Sequence, residues 1–182
     1  PYSYLFESVH GGEKWGRYSF IGLPCHERIE VRDQQISRFV DGEVVEQFEC
    51  ADPLAYVDAL HQSFETGEHP ELPPFTGGLV GYFGYDTVRY IEPRLAGKAP
   101  HDELNTADIL LVVSEQLLVF DNLAGRIHIV VHYDPTLDGD KQHAENELVK
   151  LAAKLRGPLP EQPPAVLQPF GERAMAAAVA AW

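Results

Sequence analysis

The stretch over residues 4–22, YLFESVHGGEKWGRYSFIG, constrains the fold most. Two short apolar runs, 4–9 and 17–21, flank the pair Gly11-Gly12. Apolar runs of this length bounded by glycine predict a β-hairpin. Its polar content is unusual. Glu7, Ser8 and Arg17 stand among Leu5, Phe6, Tyr18 and Phe20, where a purely structural hairpin would turn only apolar groups to the core. A carboxylate, a hydroxyl and a guanidinium beside aromatic rings suit a small zwitterion with an apolar body, such as an amino acid. The competing reading is a surface hairpin with an Arg–Glu pair, which contributes little. On these residues alone both readings stand. Glu7 and Ser8 are consecutive, so a regular strand points them to opposite faces. Either a ligand sits where the strand ends, or one of the two serves the protein rather than the ligand.

The chain continues with the same punctuation. Residues 26–32 alternate, with Ile29 and Val31 on one face and Glu30 and Arg32 on the other, as in a half-buried strand. A turn is expected at Gln34-Gln35, then strands over 36–40 and 44–48 around Asp41-Gly42, a strong hairpin signal. The first fifty residues therefore read as an antiparallel meander. The period then changes. Asp52 suits an N-cap and Pro53 the first helical position, with Val57, Leu60, His61 and Phe64 at helical spacing and Gly67 as the closing residue. An extended, proline-rich connector follows.

Residues 75–92, FTGGLVGYFGYDTVRYIE, begin as a strand yet carry Gly77, Gly78, Gly81 and Gly84. Glycine weakens a strand, so such a run predicts close backbone approach or a tight bend. Asp86 is expected to cap a short helix containing Val88, Arg89 and Ile91, ended by Pro93. Residues 94–105 read as a polar loop. Strands are expected over 109–120 and 126–133 around the turn 121–125, and the run Ile109-Leu110-Leu111-Val112-Val113 predicts a central strand covered on both faces. Residues 138–156 predict a helix with Leu148, Leu151, Ala152 and Leu155 on its buried stripe. A proline-rich linker over 158–169 precedes the start of a further helix over 170–182. The chain opens at Pro1 without methionine and stops at Trp182 within an alanine-rich helical pattern, so a piece of a longer protein is expected.

Several function classes are disfavoured. Lys plus Arg total 14 against 28 Asp plus Glu, a net −14 that supplies no basic footprint for nucleic acid or an anionic membrane. No apolar run approaches a membrane span and no signal-peptide pattern is present. Cys25 and Cys50 are too few for a disulfide framework, so free thiols in a reducing cytoplasm are the expectation. His128 and His132 share a strand face with Val130, but no Cys or carboxylate follows at ligand spacing, and no metal site is expected. GGLVGYFG lacks the G-x-G-x-x-G spacing and the βαβ context of a dinucleotide loop. Ser8, Ser19 and Cys25 have no recognisable elbow or paired histidine, so no nucleophile is evident.

Taken together, Leu5-Phe6-Glu7-Ser8, then Gly11 to Gly22 with its GRYSFIG run, resemble the N-terminal domain of the anthranilate synthase component I family. Phe6 stands where that family usually has a second leucine. Phe75-Thr76-Gly77-Gly78, Gly81-Tyr82, Gly84-Tyr85-Asp86 and Arg89 resemble a second family motif, and Val119-Phe120-Asp121 a third. The resemblance implies an α+β fold, mostly antiparallel sheets packed face to face with flanking helices. It implies a regulatory domain over 1–157, the linker over 158–169, and the truncated start of a chorismate-using domain over 170–182. The whole enzyme it implies makes anthranilate from chorismate, with magnesium and with ammonia supplied from glutamine by a separate amidotransferase subunit. The chorismate and magnesium residues would lie beyond this chain, so no catalytic residue is expected here and no turnover from these residues alone. The feedback inhibitor tryptophan would be bordered by Glu7, Ser8, Arg17 and Tyr18, with Tyr18 or Phe20 flanking the indole. Two alternatives are a fragment of aminodeoxychorismate synthase component I and a non-catalytic amino-acid-binding module.

Overall fold

Asp41 and Gly42 both adopt positive φ, 51° and 91°, and close the hairpin that their sequence predicts. The computed structural model describes residues 2–10, 14–64, 70–95 and 105–159. Within them the strands are β1 (Tyr2–His10), β2 (Lys14–Cys25), β3 (Glu27–Arg32), β4 (Gln35–Val40), β5 (Glu43–Glu49), β6 (Gly78–Phe83), β7 (Ile109–Ser114), β8 (Gln116–Asp121) and β9 (Arg126–Val131). The helices are α1 (Pro53–Ser63), α2 (Val88–Ile91) and α3 (Asp140–Arg156). All pairing is antiparallel, in a four-stranded sheet ordered β1-β2-β8-β9 and a five-stranded sheet ordered β5-β4-β3-β7-β6. This is the α+β class expected from the sequence. Among the described residues no helix is long and apolar enough to cross a membrane.

The two sheets share a spine. Chain runs from β2 into β3 across His26, and from β7 into β8 across Glu115. Since β2 pairs with β8 and β3 with β7, these strands form one antiparallel ladder that passes through both sheets. The single strand expected over 109–120 is therefore interrupted at Glu115, where the ladder changes sheets and register: Gly22 faces Leu117 but Arg28 faces Val112.

Tyr4 locks that passage. Its hydroxyl lies 2.7 Å from the Ser114 hydroxyl at the end of β7, and Ser114 is only 2% exposed. The ring occupies space that only glycine leaves open, since a Cβ on Gly22 would stand 1.9 Å from Tyr4 Cε1. Tyr4→Phe leaves the Ser114 hydroxyl buried without this partner, and the expected loss of unfolding free energy is about 1 kcal/mol in urea titration. An unchanged midpoint would remove the bridge from the list of stabilising contacts.

The main core lies on one face of the five-stranded sheet. Ile29, Val31, Ile36 and Ile109 are fully buried there with Leu111, Val113 and Val57, and Leu54, Tyr56 and Leu60 of α1 pack against them. Ile29 and Val31 thus face inward as their alternation predicts, and β7 is central and buried almost throughout. Asp52 caps α1 as expected, accepting from the Ala55 amide at 3.0 Å. The helix ends at Ser63, so Phe64 lies beyond it and is exposed; His61, within the last turn, is exposed as well, and Gly67 lies outside the described residues. A second, smaller core gathers Leu117, Val119 and Val130 with Tyr18, Phe20 and Phe75.

Three local expectations change. The turn before β4 is Asp33-Gln34, with Asp33 at φ 51°, and Gln35 already belongs to the strand. Asp86 does not cap a helix. Thr87, the residue before α2, is itself helical in conformation (φ −61°, ψ −19°), so the extended geometry a side-chain cap needs is absent, and Asp86 pairs with Arg89 at 3.0 Å instead. Helix α3 begins at Asp140, because the preceding Gly139 has φ 83°; Ala144 is its buried residue, and Leu155 is 44% exposed rather than on the stripe. The expected linker and final helix fall almost wholly outside the described residues.

Candidate functional site: the β1–β2 bulge

The ladder between β1 and β2 is regular from Tyr4↔Gly22 to Glu7↔Ser19 and resumes at Val9↔Trp15. One residue of β1, Ser8, therefore stands opposite three of β2: Gly16, Arg17 and Tyr18. Such a bulge bends the strand, frees backbone from the ladder and re-aims side chains. It falls on the segment that carries all four expected site residues.

Those four are not all on one face. Cross-strand pairing puts Glu7 beside Ser19, while Tyr18 shares the other face with Phe20. Glu7 is exposed, and among the described residues its carboxylate has no hydrogen bond or ion pair. The Ser8 side chain lies outside the described residues. Arg17 and Tyr18 are together, with the guanidinium 4.8 Å from the ring centroid. Tyr18 in turn lies 6.1 Å from Phe20, and Phe20 meets Phe75 edge-on at 5.4 Å. Tyr18 and Phe20 are both half-buried against the small core, and Tyr18 alone of the two also meets the Arg17 guanidinium.

A clamp from the β8–β9 turn holds the bulge. Arg17 Nη2 donates to Asp121 Oδ2 at 2.9 Å and Nε reaches both carboxylate oxygens at 3.3 Å. Asp121 is 5% exposed and also accepts the amides of Leu123 at 3.1 Å and Ala124 at 3.0 Å. The Arg17 guanidinium first, and then these amides, hold its pKa down to about 2. Asn122 completes the clamp: its amide donates to the Arg17 carbonyl at 2.8 Å and its Nδ2 to the Gly16 carbonyl at 3.0 Å. Beside it lies an open hollow of about 630 Å³ lined by Gly16, Arg17, Asn122 and Leu123.

Sequence reasoning missed Asp121 and Asn122 as site-building groups. Both fall in a segment read as a turn, and their partners lie 104 and 106 residues earlier. Only the β2–β8 pairing joins them. The arrangement suits recognition. Arg17 is fixed by a buried counter-charge while its side chain is still 54% exposed, so it presents oriented donors to solvent. The candidate nucleophiles are poorly placed. Ser19 is buried under Asn122 Nδ2, and burial raises the pKa of the Cys25 thiol, disfavouring thiolate. His132 is half-buried, with Nε2 2.6 Å from the Thr76 carbonyl oxygen. Among the described residues no group of three His, Cys, Asp or Glu is placed to hold a metal ion.

No family model matches the chain. Curated relatives do. The anthranilate synthase component 1 of Pseudomonas aeruginosa is 51% identical over 159 residues, covering 87% of this chain and 32% of that protein. That of Neisseria gonorrhoeae is 46% identical over 159 residues, covering 86% and 32%. This chain belongs to the anthranilate synthase component I family. A more divergent member, from Aquifex aeolicus, is 41% identical over 130 residues, or 71% of this chain. The crystal structure of anthranilate synthase component I from Streptococcus pneumoniae has the same fold, with a TM-score of 0.59 at 24% identity over 84% of this chain and 34% of that one. The chain spans about a third of the length of the curated anthranilate synthase relatives it matches.

Proposed function

We propose that this chain is the N-terminal, regulatory part of an anthranilate synthase component I, and that the β1–β2 bulge is its tryptophan feedback site. The observation that carries this reading is the register break. It sets Ser8 of edge strand β1, next to Glu7, opposite Arg17 and Tyr18 of the neighbouring strand β2, and a ligand lying over this irregular point would reach groups on both faces. Arg17 would take the ligand carboxylate, Glu7 the ammonium, Ser8 a further hydrogen bond, and Tyr18 the indole. A stacked ring pair of this kind contributes about 1 kcal/mol beyond the area it buries.

The conversion of chorismate to anthranilate, the magnesium it uses and the glutamine amidotransferase subunit that supplies ammonia belong, on this reading, to the two thirds of the relatives' length that this chain does not span. Among the described residues no group of three His, Cys, Asp or Glu is placed to hold magnesium. Bound tryptophan favours an arrangement of the whole enzyme that turns chorismate over poorly. Linkage then requires chorismate to weaken tryptophan binding by the same factor.

Two measurements test the assignment. In the full-length enzyme, Ser8→Phe fills the bulge; the expected result is loss of tryptophan inhibition with the uninhibited rate kept. Equal inhibition in variant and parent would rule the site out. Calorimetry with tryptophan, run beside a chorismate assay on the 182-residue chain, is expected to show no turnover.

A further inference from the structure

Asn122 carries a polar atom that the protein does not use. Its Nδ2 donates to the Gly16 carbonyl at 3.0 Å and lies 3.4 Å from the Ser19 hydroxyl. A carbonyl oxygen only accepts, so the amide orientation is fixed, with nitrogen toward Gly16 and Oδ1 away from it. Among the described residues Oδ1 has no hydrogen-bond partner, and Asn122 is exposed. Arg17 is in the same position. Its Nε and Nη2 are turned to Asp121, while Nη1 makes no hydrogen bond among the described residues. Both side chains line the hollow of about 630 Å³ beside the bulge. That volume lies within the roughly 300–1,000 Å³ of small-molecule sites.

We propose that this hollow is the headgroup subsite for a zwitterionic α-amino acid, with Arg17 Nη1 donating to the ligand carboxylate and Asn122 Oδ1 accepting from its ammonium. The assignment rests on the reading of the bulge as a tryptophan site, and it adds Asn122 to that site. An ammonium has three donors, so Glu7 keeps its role; it is the cross-strand partner of Ser19, whose hydroxyl faces Asn122 Nδ2. Charge selects the ligand class. Asp121 already neutralises Arg17 and the chain carries −14, so a free anion gains little and is repelled at range. A zwitterion is neutral overall and meets one donor and one acceptor. Preorganisation selects the place. Arg17 is held by a buried carboxylate, and Asn122 by its backbone amide and Nδ2, so neither has to be ordered on binding. A second hollow, of about 300 Å³ and lined in part by His26, Arg28 and Asp41, has no such backing. Its His26–Asp41 pair is exposed, and neither side chain makes another hydrogen bond among the described residues.

The test uses the full-length enzyme with tryptophan, with tryptamine, which lacks the carboxylate, and with indole-3-propionate, which lacks the ammonium. The readout is the ratio of tryptamine affinity to indole-3-propionate affinity, measured by calorimetry. A general loosening of the site weakens both analogues alike and leaves the ratio unchanged. Arg17→Gln is expected to raise the ratio at least about tenfold and Asn122→Ala to lower it by a similar factor, with tryptophan weakened in both. Asn122→Asp keeps an acceptor but loses the tether to Gly16, so the ratio is expected to return to the parent value or above. A ratio left unmoved by Arg17→Gln or by Asn122→Ala overturns the proposal, and so does one that Asn122→Asp lowers as Asn122→Ala does. An analogue that the parent does not bind also overturns it, since one lost contact costs no more than about a hundredfold. Ser8→Phe tells the two readings apart. Inhibition lost in Ser8→Phe, with a ratio indifferent to Arg17 and Asn122, keeps the bulge as the tryptophan site and removes the headgroup subsite. A ratio that responds as expected, with inhibition kept in Ser8→Phe, retains the subsite and removes the bulge.

Discussion

Gly81→Ala is expected to lower the unfolding free energy by about 3 kcal/mol, the upper end of the range for overpacking in a close-packed region. A Cβ at this position would stand 1.9 Å from the Leu110 carbonyl oxygen, 2.8 Å from its carbon and 2.9 Å from Leu111 Cα. These are backbone atoms of the neighbouring strand, so no rotamer change relieves the overlap. Strand β6 must instead move away from β7, to which it is paired from Gly78↔Ser114 to Phe83↔Ile109. That movement withdraws Leu79 from the main core and exposes Val80, which is only 7% exposed. Gly125→Ala supplies the control. Its φ is 62° and nothing lies within 4 Å of the added carbon, so only left-handed strain is introduced, about 1 kcal/mol. Urea titration of both variants checks the ranking, and equal losses would show that the β6–β7 approach is not close in solution.

Asp121→Asn is expected to lower the thermal midpoint at neutral pH by about 5 °C. The substitution keeps shape but removes the charge that fixes Arg17 and weakens acceptance of the Leu123 and Ala124 amides. The pH dependence identifies the cause. The folded-state pKa of Asp121 is held down to about 2, below the ordinary value of 3.8, so the folded state binds fewer protons than the unfolded state between these values. Its stabilising contribution is therefore complete above about pH 4 and is lost as pH falls toward 2. The gap between parent and variant should close over that window. A gap that stays constant down to pH 2 would mean that the carboxylate acts through shape alone.

Much of the fold was legible because its signals are local. Asp41-Gly42 fixes a hairpin within two residues, Asp52-Pro53 starts a helix, and the alternation of Ile29 and Val31 assigns a buried face. The larger errors fall where a distant partner decides, the smaller ones where the backbone of an adjacent residue does. The polar residues Ser114-Glu115-Gln116 interrupt the apolar run over 109–120, but nothing local says that the ladder changes sheets there. Asp86 looks like a cap until Thr87 is seen to be helical already. The site divides in the same way. Glu7, Ser8 and Arg17 are visible as polar chemistry out of place in a hairpin, and Tyr18 joins them only through the family resemblance. The bulge that breaks their alternation, and the Asp121–Asn122 clamp behind it, depend on the β2–β8 pairing, which no short window of sequence contains.

That shared spine also sets the order in which the chain can assemble during synthesis. Strands β3, β4 and β5 meet neighbours within a few residues and can associate as they emerge. Strand β2 cannot find β8 until the ribosome has added roughly a hundred further residues, about 5–20 s at ordinary elongation rates. Throughout that interval Phe20 and Ile21 lack their cross-strand neighbours Val119 and Leu118. Nascent chains of this region are accordingly most exposed to aggregation, and most in need of a chaperone, before residue 121 has been translated.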